Sequence, residues 1–287
     1  MSGQTDSIAI FGPGLMGGSL LMALRQRSPQ THLRVWGRRP EALAELQHRG
    51  LADACSTDAA EVARGADLAV LCVPVDQLLA TARAAAPGIA PGCVVTDVGS
   101  VKGTVVTELE ELFPVPGNFV GSHPMCGSEA SGLAAARADL YENALCVITP
   151  TVVSRPEATQ RTENFWKSVG CRVARMTPAA HDRAAALVSH VPHVAAAALV
   201  ALLETESAET AAMCAGGFRD TTRIASGSPE LWAAILCQNR AETERGLEKL
   251  SAVLDSFKAA VKANDRLRIT ALLAQAREAR RAITPDS

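Results

Sequence analysis

Nine consecutive residues, Gly121-Ser122-His123-Pro124-Met125-Cys126-Gly127-Ser128-Glu129, gather an imidazole, two hydroxyls and a carboxylate among three residues that permit bends. A neutral imidazole is a good proton acceptor near pH 7, so His123 is a candidate general base. The short apolar Phe119-Val120 before it reads as a strand end. His123 would then leave the carboxyl edge of a sheet, where open α/β sheets bind their ligands. The alternative for an isolated His-Pro is a polar turn with a solvated histidine.

A second set of candidates lies further on: His181-Asp182, Ser189-His190-Val191-Pro192-His193, Phe218-Arg219-Asp220-Thr221-Thr222-Arg223 and Trp232. His190 and His193 stand three apart, with Pro192 suited to an early helical turn. No Cys or acidic residue sits beside them at ligand spacing, so no metal site is expected. Arg223, behind the Gly216-Gly217 turn, can clamp a carboxylate bidentately or form a surface ion pair.

The elements that must position these groups begin with Ser7–Phe11, an apolar run that breaks at Gly12-Pro13-Gly14-Leu15-Met16-Gly17-Gly18 and resumes with helical periodicity through Leu20, Leu21 and Leu24. This is strand, glycine turn, helix. Gly12 allows the tight turn, Gly14 lets a pyrophosphate approach, and Gly17 lets the helix sit close on the strand, while the helix N-terminus offers N–H groups to the phosphates. Gly12, Gly14, Leu15, Met16 and Gly17 are therefore cofactor candidates, joined by Val73 and Pro74 at the break after the strand Leu68–Cys72. A strand Leu33–Trp36 ends in Gly37-Arg38-Arg39-Pro40, where an NAD site usually carries an acidic residue for the ribose hydroxyls. Arginine there can pair with a 2′-phosphate, so Arg38 first and Arg39 second favour NADP, with NAD possible.

Alternation continues with helices near Glu41–Arg49 and Asp76–Ala86 and a strand Cys93–Asp97 ending at Val98-Gly99-Ser100-Val101-Lys102. Asp97, Ser100 and Lys102 are expected on the ligand edge, with Ser100 either capping the next helix or holding a catalytic partner. A helix at Gly132–Arg137, a strand Leu145–Thr149, a helix Pro156–Ser168 and a strand Cys171–Arg175 follow. Strands alternating with helices imply a doubly wound parallel sheet of the Rossmann type. After Pro178 only Ala- and Leu-rich helical patterns remain. The expected division is residues 1–177, a dinucleotide-binding domain, and 178–287, an all-α substrate and dimerisation domain.

The bulk properties fit a small-molecule enzyme. At 287 residues and 30.0 kDa the chain can bury a large core. A net charge of −2 with scattered cations gives no footprint for nucleic acid or an anionic membrane. Eight dispersed cysteines without a C-x-x-C pair read as reduced cytoplasmic thiols. No signal peptide is expected in Met1–Asp6, nor any apolar run of membrane-spanning length.

Taken together, Gly12–Ser19, Val98–Lys102, Gly121–Glu129, Ser189–His193 and Phe218–Arg223 resemble, in order, the prephenate/arogenate dehydrogenase family of tyrosine biosynthesis. The resemblance implies a homodimer with the active site between its nucleotide-binding and helical domains. His123 would be the base that takes the ring 4-hydroxyl proton while hydride passes to the nicotinamide, after which carbon dioxide leaves and the ring becomes aromatic. Ser100 would orient His123 beside the cofactor. His193 and Arg223 would contact the substrate, Arg223 through a carboxylate; Glu129 would lie near the cleft entrance, with Ser128 and His190 as further substrate candidates.

The family commonly has alanine where Cys126 stands, and NAD-preferring members carry an acid near Arg38. The chain stops at Ser287, so no regulatory or chorismate mutase domain is expected. Two alternatives are a β-hydroxyacid-type dehydrogenase, which generally uses a lysine of the helical domain although Pro178–Asn239 has none, and a non-catalytic NADP-binding sensor.

Overall fold

The computed structural model describes residues 7–283; the Met1–Asp6 stretch, read above for a signal peptide, lies outside the described residues. In chain order the first elements are β1 (Ser7–Phe11), α1 (Leu15–Arg27), β2 (His32–Trp36), α2 (Pro40–His48), β3 (Ala54–Ser56), α3 (Ala59–Ala63), β4 (Leu68–Leu71), α4 (Leu78–Ala85), β5 (Val94–Asp97) and α5 (Gly103–Leu109). They are followed by β6 (Phe119–Pro124), β7 (Leu145–Thr149), α6 (Pro156–Ser168) and β8 (Arg172–Arg175).

The strands form one sheet in the order β3-β2-β1-β4-β5-β6-β7-β8. Its first six positions follow the doubly wound dinucleotide order, with the reversal between β1 and β4. Ile8 and Ile10 enter the core on one face, and Ala9 and Phe11 enter a second core on the other. Strands covered on both faces must read as unbroken apolar runs, which is why β1 and β4 were legible.

The sheet departs from the all-parallel expectation at β6. That strand does not end at Val120 but runs on through Pro124. It pairs parallel with β5 only at Phe119 and Val120, then antiparallel with β7 from Gly121↔Thr149 to Pro124↔Cys146. The side freed by the end of β5 is satisfied from elsewhere: the Ser122 N–H donates to Asp97 Oδ1 at 3.0 Å. The short β3 and α3 carry too few residues to show a period, and Asp58 caps α3 by accepting from the Ala60 N–H at 2.9 Å. Gly132–Arg137 supplies only a single 3₁₀ turn, Leu133–Ala135.

Beyond β8 every described element is helical: α7 (Pro178–Ala185), α8 (Val191–Ala201), α9 (Ala208–Ala212), α10 (Gly216–Thr222), α11 (Pro229–Gln238), α12 (Arg240–Lys262) and α13 (Arg266–Ile283). A π turn, Ala186–His190, joins α7 to α8 without a break, and Pro192 falls in the first turn of α8, where a missing N–H is tolerated. The result corrects the expectation about apolar runs: Pro178–Ala201 is a 24-residue helical stretch of mean hydropathy 1.7, long and apolar enough by length and composition to cross a bilayer. It also carries His181, Asp182, His190 and His193, all buried. The chain divides into two compact units, Met1–Arg240 and Ala241–Ser287. The second consists of α12 and α13, whose Val253, Leu254, Val261, Leu267 and Leu273 are exposed.

Candidate active site

The glycine turn forms the floor of a cleft of about 720 Å³ lined by Gly12, Pro13, Gly14, Trp36, Arg38, Arg39, Val73, Pro74 and Leu133, among others. It lies where β1 and β4 diverge, the switch point at which such sheets take nucleotides. Gly12 has φ +104, and a Cβ there would lie 2.7 Å from the Cys72 carbonyl oxygen. A Cβ on Gly17 would lie 2.1 Å from the Gly12 carbonyl oxygen, so this glycine closes helix onto strand. A Cβ on Gly14 would meet nothing within 4 Å, which leaves the backbone there open to a ligand.

Gly14 is the N-cap of α1 and provides no side-chain cap; the first turn has no acidic residue. Its N–H groups, including those of Leu15 and Met16, are thus free for an anion, while the side chains of Leu15 and Met16 pack on the core. These features fit a dinucleotide. Arg38 and Arg39 are exposed on the cleft wall. Glu45, also on the wall, pairs with Arg49 at 3.2 Å.

His123 sits on the antiparallel part of β6, past the end of β5. Its Nδ1 is 2.8 Å from His181 Nε2, and His181 Nδ1 is 2.8 Å from Asp182 Oδ1. Asp182 also accepts from the backbone N–H groups of Lys102 at 2.8 Å and Gly103 at 2.7 Å, capping α5 across eighty positions of sequence. Ser100 does not cap that helix: its N-cap is Lys102, without a side-chain cap bond. Nor does Ser100 hold His123, whose hydrogen-bond partner among the described residues is His181. Ser100 stays half-buried at the sheet edge.

The network continues. Asn239 Nδ2 donates to the Asp182 carbonyl at 2.9 Å and lies 3.2 Å from His190 Nδ1. His190 meets the Trp232 ring edge-on, and His193 stacks on its face with centroids 3.6 Å apart. His190 Nε2 and His193 Nδ1 are buried without a hydrogen-bond partner among the described residues. The candidate histidines of both sequence stretches therefore form one connected group.

Asp97 and Lys102 lie beneath this group and are fully buried. Lys102 Nζ pairs with Asp97 Oδ2 and donates to the Ser122 carbonyl at 3.0 Å. The expectation that both line the ligand edge is therefore corrected: their charges neutralise each other inside the core, as burial demands.

The electrostatics favour a neutral base. Burial, with the charges of His181, Lys102 and His190 adding to it, holds His123 well below the usual imidazole range. Burial likewise brings His190 down to about 4 and lowers His193. Burial pushes Asp182 upward, but its hydrogen bonds from His181, Lys102 and Gly103 outweigh this and keep it below the ordinary carboxylate value. Cys126 is not a nucleophile: burial pushes its thiol up to about 12.

Arg223 donates through a terminal guanidinium N–H to Glu129 Oε2 at 2.8 Å, both side chains being exposed. The loop after β6 thus leaves the strand just past His123, meets Arg223 through Glu129, and forms the cleft wall at Gly132–Ala134. Ser128, exposed on this loop, accepts from the Ala130 N–H at 3.1 Å. Among the described residues no group of three His, Cys, Asp or Glu could hold a metal ion.

The family model described as the nucleotide-binding domain of prephenate dehydrogenase matches residues 21–175, and the one described as its dimerization domain matches 177–275. The chain belongs to the prephenate dehydrogenase family. It is 30% identical to the cyclohexadienyl dehydrogenase of Zymomonas mobilis over 97% of this chain and 96% of that protein. The prephenate dehydrogenase of Aquifex aeolicus, solved with hydroxyphenyl propionate and NAD+, superposes with a TM-score of 0.92 at 29% identity, covering 99% of this chain and 100% of that one. The Synechocystis arogenate dehydrogenase gives 0.82 at 29% identity, covering 97% and 100%.

This family member is an NAD(P)-dependent dehydrogenase, which decides against the β-hydroxyacid and sensor alternatives. Of the residues in this network only Asn239 was not singled out in the sequence; His181, Asp182, Asp97 and Lys102 were, but without the partners they have here. The pair His181-Asp182 was visible as a motif, but its partners lie 58 and about eighty residues away.

Proposed function

We propose that the chain oxidatively decarboxylates prephenate, arogenate or both, with His123 as the base and NADP preferred to NAD. The observation that carries this reading is the single loop that runs from His123 at the end of β6, past Glu129 and its partner Arg223, to the wall of the nucleotide cleft. The bound nicotinamide supplies the hydride acceptor. Gly12, Gly14, Gly17, Val73 and Pro74 shape its cleft, Leu15 and Met16 offer N–H groups to its phosphates, and Arg38 and Arg39 face a 2′-phosphate.

His123 takes the ring hydroxyl proton; this leaves the oxygen electron pair free to form the carbonyl as hydride departs from the same carbon. Arg223 exchanges Glu129 for a substrate carboxylate. His193, pinned on Trp232, and His190 present buried nitrogens to the polar side of the substrate, with Ser128 and Glu129 at the mouth. Ser100 borders the nicotinamide end. A pre-positioned neutral base of this kind contributes roughly 10²–10⁴-fold to the rate.

Residues 1–177 act as the dinucleotide-binding domain and 178–287 as the helical substrate and dimerisation domain. The exposed apolar side chains of α12 and α13 and the match to a dimerization domain support a homodimer. Eight free thiols support a cytoplasmic setting. The test is steady-state turnover of prephenate and arogenate with each cofactor, in the wild type and in His123→Asn. A loss of at least about 100-fold in kcat with unchanged NADPH affinity is expected; unchanged turnover would remove His123 from the mechanism.

A further inference from the structure

Asp182 fixes the direction of every hydrogen bond between it and His123. Its carboxylate is held in the charged form by two backbone N–H donors of α5, at 2.8 and 2.7 Å, and a charged carboxylate can only accept. The hydrogen between Asp182 Oδ1 and His181 Nδ1, 2.8 Å apart, must therefore belong to His181. With its one ring hydrogen spent on Asp182, His181 presents a lone pair at Nε2, the atom 2.8 Å from His123 Nδ1. In that arrangement His123 donates from Nδ1, which leaves its own lone pair on Nε2.

We propose that His181, anchored by Asp182, is a positioning residue that locks His123 in the Nδ1–H tautomer and receives the proton displaced when His123 acts as base. The inference rests on the reading of His123 as the base. As the substrate O–H bond breaks, its electron pair stays on oxygen and a bond forms from the proton to His123 Nε2. The His123 Nδ1–H bond then breaks and His181 Nε2–H forms. One proton has moved from substrate to His181. His123 is left neutral, with the positive charge beside the Asp182 carboxylate. An outer partner that sets the tautomer of a working imidazole is an established use of His–carboxylate pairs.

The decisive measurement uses the intact wild-type enzyme. With ¹⁵N-labelled histidine, the imidazole signals of His123, identified by their loss in His123→Asn, are expected to show a protonated Nδ1 and an unprotonated Nε2 near pH 7. The opposite tautomer overturns the proposal.

A second arm is Asp182→Asn, whose amide nitrogen at the Oδ1 position turns an N–H toward His181 and reverses both tautomers, at the expense of the Lys102 N–H bond that Oδ1 now accepts. Its kcat is expected to fall about 10²–10⁴-fold, with NADPH affinity within about threefold of wild type and the His123 signals switched to protonated Nε2. A folded Asp182→Asn enzyme with wild-type kcat and an unswitched tautomer overturns the proposal; if that variant does not fold, the wild-type spectrum decides alone. Full activity in His123→Asn would instead defeat the base assignment. Loss in His123→Asn with none in Asp182→Asn defeats only the relay.

Discussion

Removing one charge of the buried Asp97–Lys102 pair should harm the protein more than removing both. Both side chains are fully buried, and among the described residues the ammonium's partners are the Asp97 carboxylate and the Ser122 carbonyl. Asp97→Asn keeps an oxygen for only one of the two N–H groups, Ser122 and Gly99, that the two carboxylate oxygens now serve, and it strands the positive charge in the core. Stranding a buried charge costs about 3–5 kcal/mol. At roughly 2–4 °C per kcal/mol for a chain of this size, the thermal midpoint should fall by about 6–20 °C.

Adding Lys102→Met removes the ammonium and fills its stem's space with a flexible apolar chain. The remaining losses are the Ser122 carbonyl's donor and the acceptor of one backbone N–H, each worth about 1 kcal/mol. The double variant should therefore melt well above Asp97→Asn in calorimetry or circular dichroism at pH 7. A double variant melting at or below the single one would refute the reasoning. The same double variant has a kinetic signature, because the Lys102 charge is one of those opposing protonation of His123, alongside His181 and His190. Its removal makes protonation easier, so the acid limb of kcat/KM should move to higher pH.

Arg38→Ala should weaken NADPH by about 10–100-fold, the worth of a charge-assisted pair of roughly 1.5–3 kcal/mol, and leave NADH within about threefold. Equal losses measured by nucleotide fluorescence would refute the 2′-phosphate role. Arg223→Ala should raise KM at least about tenfold while shifting the thermal midpoint by no more than a few degrees, since an exposed ion pair contributes about 0–1 kcal/mol; a large drop in the midpoint would make the Glu129 contact structural. Acid should destabilise the fold as the histidines of the unfolded chain take up protons that the folded chain refuses. His123, His190 and His193 are held below the ordinary value of 6.5, so the unfolded chain binds protons first. Their stabilisation is complete above about pH 6.5 and fades toward 4, where His190 titrates. A midpoint that stays flat across that range would contradict the burial.

What could be read from the sequence was whatever is local. The glycine turn, the apolar runs of β1 and β4 and the arginines after β2 each declare themselves within a few residues, and the fold gathers Gly12, Arg38 and Val73 onto one cleft as their positions at strand ends require. What could not be read is paired over long separations. Nothing near Lys102 says that the cap of α5 comes from Asp182. Nothing near His123 says that β5 stops short, leaving Asp97 to take up the Ser122 N–H. Ser100 attracted the capping and orienting roles because a hydroxyl just before a helix is the local signal for them, yet a distant carboxylate serves both ends: it caps the helix and, through His181, holds the base. That double duty ties the chemistry to the packing of the helical part. The α7 segment cannot shift from α5 without uncapping the helix and freeing His123 at the same stroke, so a loss of the α5 cap should be read in the base's tautomer and in the melting curve together.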